Sequence, residues 1–168
     1  MTAERSTSSH SSTSRVACYG CDECRFCLER YGLHLVPPVL DIGCSNGAFV
    51  DACKAAGIPA EGYDIDGTAA QHRSLGKLRG GYGTVTMHDV LEHVIDPVYL
   101  LREARRLVET LIIDAPDFFG PDGAHHWKPI EHLWMFTRGQ LLKWLEHTGF
   151  MWDHEDCPVP GKIVVCAT

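Results

Sequence analysis

The sequence predicts a three-layer α/β sandwich built on a mostly parallel sheet, and three observations carry that expectation. Short apolar runs alternate with helical stretches along most of the chain, the pattern of repeated βαβ units. The run Val39-Leu-Asp-Ile-Gly-Cys-Ser-Asn-Gly-Ala-Phe49 reads as a buried strand, a tight glycine turn and the opening of a helix. About 20 residues after Gly43, Asp64 ends the next strand-like run, the separation expected in a nucleoside-binding βαβ unit.

The elements follow in order. The first helix spans Gly47 to Ala56 and stops at Gly57, a suitable residue just past a helix end. Ile58-Pro59 breaks the helix and a strand follows from Ala60 to Asp66. Between Gly67 and Gly83 only weak helix character is visible, around Thr68 to Leu78. Thr84 to Val90 reads as a further strand. Asp96 caps the next helix, and Pro97 suits its first turn. Val98, Leu101, Ala104 and Val108 share one face of that helix, with Leu100 and Leu107 beside it, and Arg102, Glu103, Arg105 and Arg106 form a solvated face. Leu111 to Ile113 is a buried strand ending in Asp114-Ala-Pro116, and a long loop rich in Gly, Pro, His and aromatic residues comes next. Thr137-x-x-Gln140 is a capping box with Phe136 and Leu141 as its hydrophobic staple, and the helix it opens stops at Gly149. Two last strands fit Phe150 to Asp156 and Lys162 to Ala167.

Gly43 and Gly47 let the backbone turn sharply and approach a ligand where a Cβ would collide. The helix that follows presents free N–H groups to that ligand. A dinucleotide fingerprint would need further glycines where Ser45 and Ala48 stand, and no phosphate-loop Gly-Lys-Ser/Thr occurs. Asp41, Gly43, Cys44, Asn46 and Gly47 instead resemble the Asp-x-Gly-x-x-x-Gly motif of the class I S-adenosylmethionine (SAM)-dependent methyltransferases, of the type 11/23 kind. Gly62-Tyr63-Asp64 resembles the ribose-binding end of their second strand. The resemblance implies a Rossmann-like fold with a final antiparallel hairpin. It also implies SAM contacts at Asp41, Gly43, Cys44, Asn46, Gly47, Asp64 and Ile65, and at His88 and Asp89 after the later strand.

The chain has 168 residues, enough for one domain with a real core and too few for two. A net charge of −7 argues weakly against a nucleic-acid backbone as the main partner without excluding one. No apolar run is long enough to span a bilayer, and residues 1–17 lack the apolar core of a signal peptide, so a soluble, cytoplasmic protein without a membrane partner is expected. Residues 1–17 are a Ser/Thr-rich tail expected to be disordered, residues 18–35 a Cys-rich arm and residues 36–168 the α/β domain.

Four of the eight cysteines form a ladder, Cys18-x-x-Cys21-x-x-Cys24-x-x-Cys27. A metal ion is the natural reason for thiols so close together. Zinc would take all four, although the two residues between Cys21 and Cys24 are fewer than a usual structural zinc site has. Zinc is the favoured reading, an iron–sulfur cluster is the alternative, and a metal-free thiol segment is the remaining one. Cys44, Cys53 and Cys166 are expected as small apolar core residues.

His88-Asp-Val-Leu-Glu-His93, followed by Asp96-Pro97, resembles the motif after the fourth strand of the same superfamily, and the resemblance extends through His132-Leu-Trp-Met-Phe136 to Gly149-Phe150. If the chain turns helical after Val90, Asp89, Glu92 and His93 share one face. With His132 they would offer two carboxylates and two imidazoles to a divalent cation, as in methyltransferases that modify the 3′ end of small RNAs or act in the ubiquinone pathway. Two imidazoles suit Zn²⁺, Mn²⁺ or Fe²⁺ better than Mg²⁺. Alternatively, Glu92 and His93 simply hold the sheet edge and a substrate loop by hydrogen bonds.

The methyl of SAM is already activated, so the protein's main task is alignment. A hydroxyl acceptor would also need a base, for which His93, His88 and His132 are candidates with Glu92 beside them. His125 and His126 fall where a substrate lid is expected, and Trp127, Trp134 and Phe136 offer an apolar wall. Between Asp66 and His88 the chain is shorter than the resemblance requires, so the third strand or its helix is reduced. A second copy, a partner protein or the Cys-rich arm would then cover the sheet edge. The leading expectation is a compact methyltransferase acting on an unidentified acceptor, either a small-molecule hydroxyl or a nucleic-acid terminus. Non-catalytic SAM-fold binding and metal or redox handling with a partner are the alternatives.

Overall fold

The computed structural model describes residues 35–121, 123–152 and 161–168. The Ser/Thr-rich tail, the cysteine ladder from Cys18 to Cys27 and nearly all of the Cys-rich arm lie outside the described residues. So does the expected strand over Phe150 to Asp156 from residue 153 onward.

Five strands form one sheet: β1 Val39–Ile42, β2 Ala60–Tyr63, β3 Thr84–His88, β4 Thr110–Pro116 and β5 Lys162–Ala167. Their order is β2-β1-β3-β4-β5. The first three pairings are parallel, and β4 with β5 is antiparallel. Trp152 adds an isolated antiparallel bridge to Ala167. Side chains alternate across the sheet. Leu40, Ile42, Val85, Met87, Leu111, Ile113, Ile163 and Val165 pack on one face with helices α2 (Pro97–Leu107) and α4 (Arg138–His147). Val39, Ile112 and Val164 pack on the other with helix α1 (Ala48–Ala55), through Phe49, Val50 and Cys53. A single turn, α3 (Gly123–His126), lies in the long loop after β4. These are the three layers and the mostly parallel sheet read from the sequence.

The helix boundaries follow from local chemistry. Gly47 precedes α1 at φ 80°, in the left-handed region where a glycine is favoured. Two bonds close α1, from Gly57 N–H to the Lys54 carbonyl and from Ile58 N–H to the Cys53 carbonyl, with Gly57 at φ 78°. This is the Schellman arrangement. The end of α4 repeats it, with Gly149 and Phe150 donating to Glu146 and Leu145. Asp96 Oδ1 accepts from the Tyr99 N–H at 2.9 Å, and Thr137 Oγ1 accepts from the Gln140 N–H at 3.2 Å.

Four expectations need correction. β2 ends at Tyr63, so Asp64 is a loop residue just past the strand. The weak helix over Thr68 to Leu78 is only a 3-10 turn at Leu75–Lys77, because Leu75 and Leu78 are its buried apolar anchors and too few others follow. The strand from Thr84 stops at His88, since Asp89 takes φ 50°. Arg105 and Arg106 do not form a plain solvated face. Arg106 donates to the carbonyls of Leu75 and Leu78 and pairs with Glu103, while Arg105 bonds the carbonyls of Gly149 and Val108 and lies over the Phe150 ring.

Beyond β2 no further strand occurs among the described residues. Its outer edge meets Gln71 and His72, through a single parallel bridge from Tyr63 to His72 and bonds from the N–H groups of Gln71 and His72 to the Gly62 carbonyl. The shortened stretch thus covers part of the edge with its own backbone.

Candidate functional site

The chain reverses direction along the sheet between β1 and β3, and in an open parallel sheet ligands bind beyond the strand ends at such a point. A cleft of about 270 Å³ opens there, lined by Ile42, Gly43, Tyr63, Asp64, Ile65, Asp89, Val90, His93, Val94 and Leu100. Gly43, at φ 82°, forms its floor, and a Cβ on it would stand 2.5 Å from Val90 Cγ2. Gly62 is equally constrained, because a Cβ there would meet Cys44 Sγ at 2.5 Å. Cys44 is a buried packing residue, its thiol pushed up to about 11 first by burial and then by Asp41 and Asp64.

Asp64 does more than face the cleft. Its Oδ2 accepts from the Ser45 N–H at 2.9 Å, and its Oδ1 accepts from the N–H groups of Asp66 and Gly67 at 2.8 and 2.7 Å. One carboxylate therefore ties the glycine turn to the loop after β2. Asn46 Oδ1 accepts from the Ala48 N–H at 3.2 Å and so faces the start of α1. Ile65 is 71% exposed at the rim.

The expected four-residue cation set is split. Glu92, His93 and His132 come together, each offering a ligand atom within 4.8 Å of the others. Asp89 does not join them: residues 90–94 form turns rather than a helix, and Lys162 Nζ takes both Asp89 carboxylate oxygens at 2.5 Å. Glu92 is fully buried and neither carboxylate oxygen has a hydrogen-bond partner. Burial, reinforced by Asp89, raises its carboxyl to about 8. The Glu92 backbone carbonyl accepts from the N–H groups of Leu133 and Trp134, which brings the His132 loop onto the site. His93 Nδ1 lies 2.9 Å from the Glu131 carbonyl and must donate to it, leaving Nε2 as an acceptor 4.0 Å from Glu92 Oε1. His132 is buried among Phe118, Trp127 and His93, with ring centroids at 5.3, 6.0 and 4.7 Å. Burial, then His93, lowers its basicity.

His88 stands apart from this trio. It lies on the α1 face of the sheet against Phe49 at 4.6 Å, with Nδ1 2.8 Å from Asp114 Oδ2. Asp41 sits in the same buried row and accepts from Thr86 Oγ1 at 2.8 Å. Burial raises Asp41 to about 6, against the opposing pull of His88. Burial alone would raise Asp114 too, but His88 and Lys162 bring it down to about 2. Lys162 completes the row, 3.4 Å from Asp114 Oδ1, and the two carboxylates hold its ammonium above the usual lysine range despite burial. The sequence reading missed Lys162. A lysine opening an otherwise apolar strand was the only available signal, and strands often open on a charged residue.

The loop after β4 exposes Phe119, Trp127, Ile130, Leu133 and Trp134, and the Trp127 ring lies 6.0 Å from that of His132. Trp134 is fixed by donation from Nε1 to the Val94 carbonyl at 2.9 Å. Phe136 is buried instead, against Trp144. No helix among the described residues is long and apolar enough to cross a membrane.

A search of curated proteins finds no match. Among solved structures, the chain is similar to a SAM-dependent methyltransferase from Archaeoglobus fulgidus, at 20% identity and TM-score 0.70, over 87% of this chain and 93% of that one. It is similar to magnesium protoporphyrin IX methyltransferase from Synechocystis PCC 6803 with bound S-adenosylhomocysteine, at 20% identity and TM-score 0.62, over 87% and 80%. It is also similar to the small RNA methyltransferase HEN1, at 12% identity and TM-score 0.65, over 96% of this chain and 26% of that one. At these identities the likeness concerns the fold. A family model described as a methyltransferase domain matches residues 14–155, most of the chain. The chain therefore belongs to the methyltransferase-domain family.

Proposed function

We propose that this protein transfers the methyl group of SAM to a hydroxyl oxygen of an acceptor that enters over Glu92, His93 and His132. The observation that carries the reading is the position of His93, which lines the nucleoside cleft and also belongs to the trio around the unpartnered Glu92 carboxylate. Donor site and proton-handling groups thus share one wall.

The cleft suits SAM, because Gly43 turns the backbone at φ 82° on its wall, with the Asp64 carboxylate lining the same space. SAM supplies a sulfonium-activated methyl, so binding and orientation fall to the protein. Asp64 holds the glycine turn in register through its bond from the Ser45 N–H, and Gly43 and Asp64 would hold the methionine half and the ribose of a bound SAM. A hydroxyl must lose its proton as it attacks. His93 is set for this by its bond to the Glu131 carbonyl, which keeps Nε2 as the acceptor. His132 contributes a neutral imidazole at neutral pH.

An orphaned buried carboxylate beside two imidazoles also fits a divalent cation held by Glu92, His93 and His132. His93 Nε2 would then be a ligand, and the ion would take the place of His93 as the group that promotes loss of the hydroxyl proton. Such an ion would lower the pKa of a bound hydroxyl. The donor set of one carboxylate and two imidazoles favours Zn²⁺, Mn²⁺ or Fe²⁺. The ladder of Cys18, Cys21, Cys24 and Cys27 is proposed as a separate zinc site, which metal analysis of the purified protein tests directly. A cytoplasmic setting belongs to the same reading, as does a second copy or partner on the β2 edge.

Calorimetric titration with S-adenosylhomocysteine, followed by transfer of labelled methyl to small hydroxyl compounds and to RNA 3′ ends, tests the proposal. Binding with cation-stimulated labelling of an oxygen supports it. Absence of binding overturns it. Binding without transfer to any acceptor would favour a non-catalytic module.

A further inference from the structure

The shared wall of the cleft holds one carboxylate that ought to belong to the trio and does not. Asp89 precedes Glu92 by three residues and is near enough for its charge to raise Glu92 and to act on His132. Its backbone is committed elsewhere, with the Asp89 N–H donating to the Asp114 carbonyl at 3.0 Å and φ at 50°. Its side chain is committed in the same direction, since both oxygens meet the Lys162 ammonium. Lys162 comes from β5, the antiparallel strand, and also reaches Asp114 on β4. Asp89 is thus fastened at both ends to the β4–β5 pair.

The geometry points to Lys162 as the residue that withholds Asp89 from the cation site, leaving Glu92, His93 and His132 as a three-ligand set. This rests on the reading of those three residues as a cation site. Two physical effects work together. The ammonium occupies the carboxylate that would otherwise complete a four-ligand cage. It also places a fixed positive charge beside the site, which opposes a divalent ion electrostatically. A site with three protein ligands keeps a coordination position open, as sites that act on a bound oxygen require. Lys162 is then a positioning residue, setting ligand number and affinity without touching the acceptor.

Titration of the full-length protein with Mn²⁺, followed by electron paramagnetic resonance, tests this, because the cysteine ladder holds that ion poorly. One Mn²⁺ site is expected in the wild type and is lost in Glu92→Gln. Asp89→Asn, nearly isosteric, is expected to weaken Mn²⁺ binding by no more than about threefold, through the Lys162 ammonium that it leaves unpaired. Lys162→Met is expected to tighten binding by roughly tenfold, and adding Asp89→Asn should remove most of that gain, leaving only the smaller part that comes from the lost ammonium charge. If Asp89→Asn alone weakens Mn²⁺ binding tenfold, Asp89 is already a ligand and the withholding role is overturned while the cation site stands. Unchanged affinity in Lys162→Met overturns it likewise. Absence of Mn²⁺ from every form removes the cation site and the inference together. Should Lys162→Met fail to fold, Asp89→Asn still decides the matter.

Discussion

Asp41 shows how one buried carboxyl in a strand makes stability depend on pH. It sits in β1 on the α1 face, donated to by Thr86 Oγ1, and burial raises it from 3.8 to about 6. Between those values the unfolded chain has released the proton and the folded chain still holds it. Stability therefore falls as pH rises from about 4 to about 6, by roughly 3 kcal/mol at most. Asp114 acts in the opposite sense and in a lower window, since its carboxyl lies at about 2 and its contribution is lost as pH falls from 3.8 toward that value. Thermal melts of Asp41→Asn and wild type should diverge in favour of the variant as pH rises from 4 to 6. Parallel curves would refute this. At Gly43 two costs combine: the left-handed backbone, about 1–2 kcal/mol for any other residue, and the close approach of Val90. Gly43→Ala should lose both, and Gly43→Ala with Val90→Ala should regain only the second, as read by urea denaturation.

At the scale of elements, the 3-10 turn Leu75–Lys77 stands where a longer helix was expected, and it is held from outside. Two of its carbonyl partners come from the Arg106 guanidinium on α2, with Leu75 and Leu78 buried beneath. Arg106→Met keeps the apolar stem and removes the donors. It should cost roughly 1–2 kcal/mol and raise amide exchange across residues 75–83, leaving α1 unchanged. Equal loss of protection in α1 would mean that the turn is no independent unit. The caps behave more locally. Asp96→Ala should cost about 1 kcal/mol through the lost bond to the Tyr99 N–H.

For the whole molecule, the test is linkage between the cleft and global stability. A ligand present at a hundredfold above its dissociation constant stabilises by about 2.7 kcal/mol. For a chain of this size that corresponds to a Tm increase of about 5–10 °C. S-adenosylhomocysteine should produce it in the wild type. In Asp64→Ala it should not, because that carboxylate ties Ser45 to Asp66 and Gly67 as well as facing the ligand. An equal shift in the variant would show that Asp64 holds neither turn nor nucleoside.

The parts legible in the sequence were those set by neighbours in the chain. Glycine positions, apolar alternation and capping residues depend on local backbone geometry, so β1, the glycine turn, α2 and α4 could be read residue by residue, and the family with them. Residues brought together across the sheet were not legible in the same way. Nothing local to Lys162 says that it faces Asp89 across β4, and nothing local to Asp89 says that its carboxylate turns away from Glu92. The helix imagined after Val90 put Asp89, Glu92 and His93 on one face; the packed strand ends and the His132 loop bonded to Glu92 impose turns instead. Local propensity chose the elements, and the competition among buried charges for partners, decided only once the sheet had closed, chose the site.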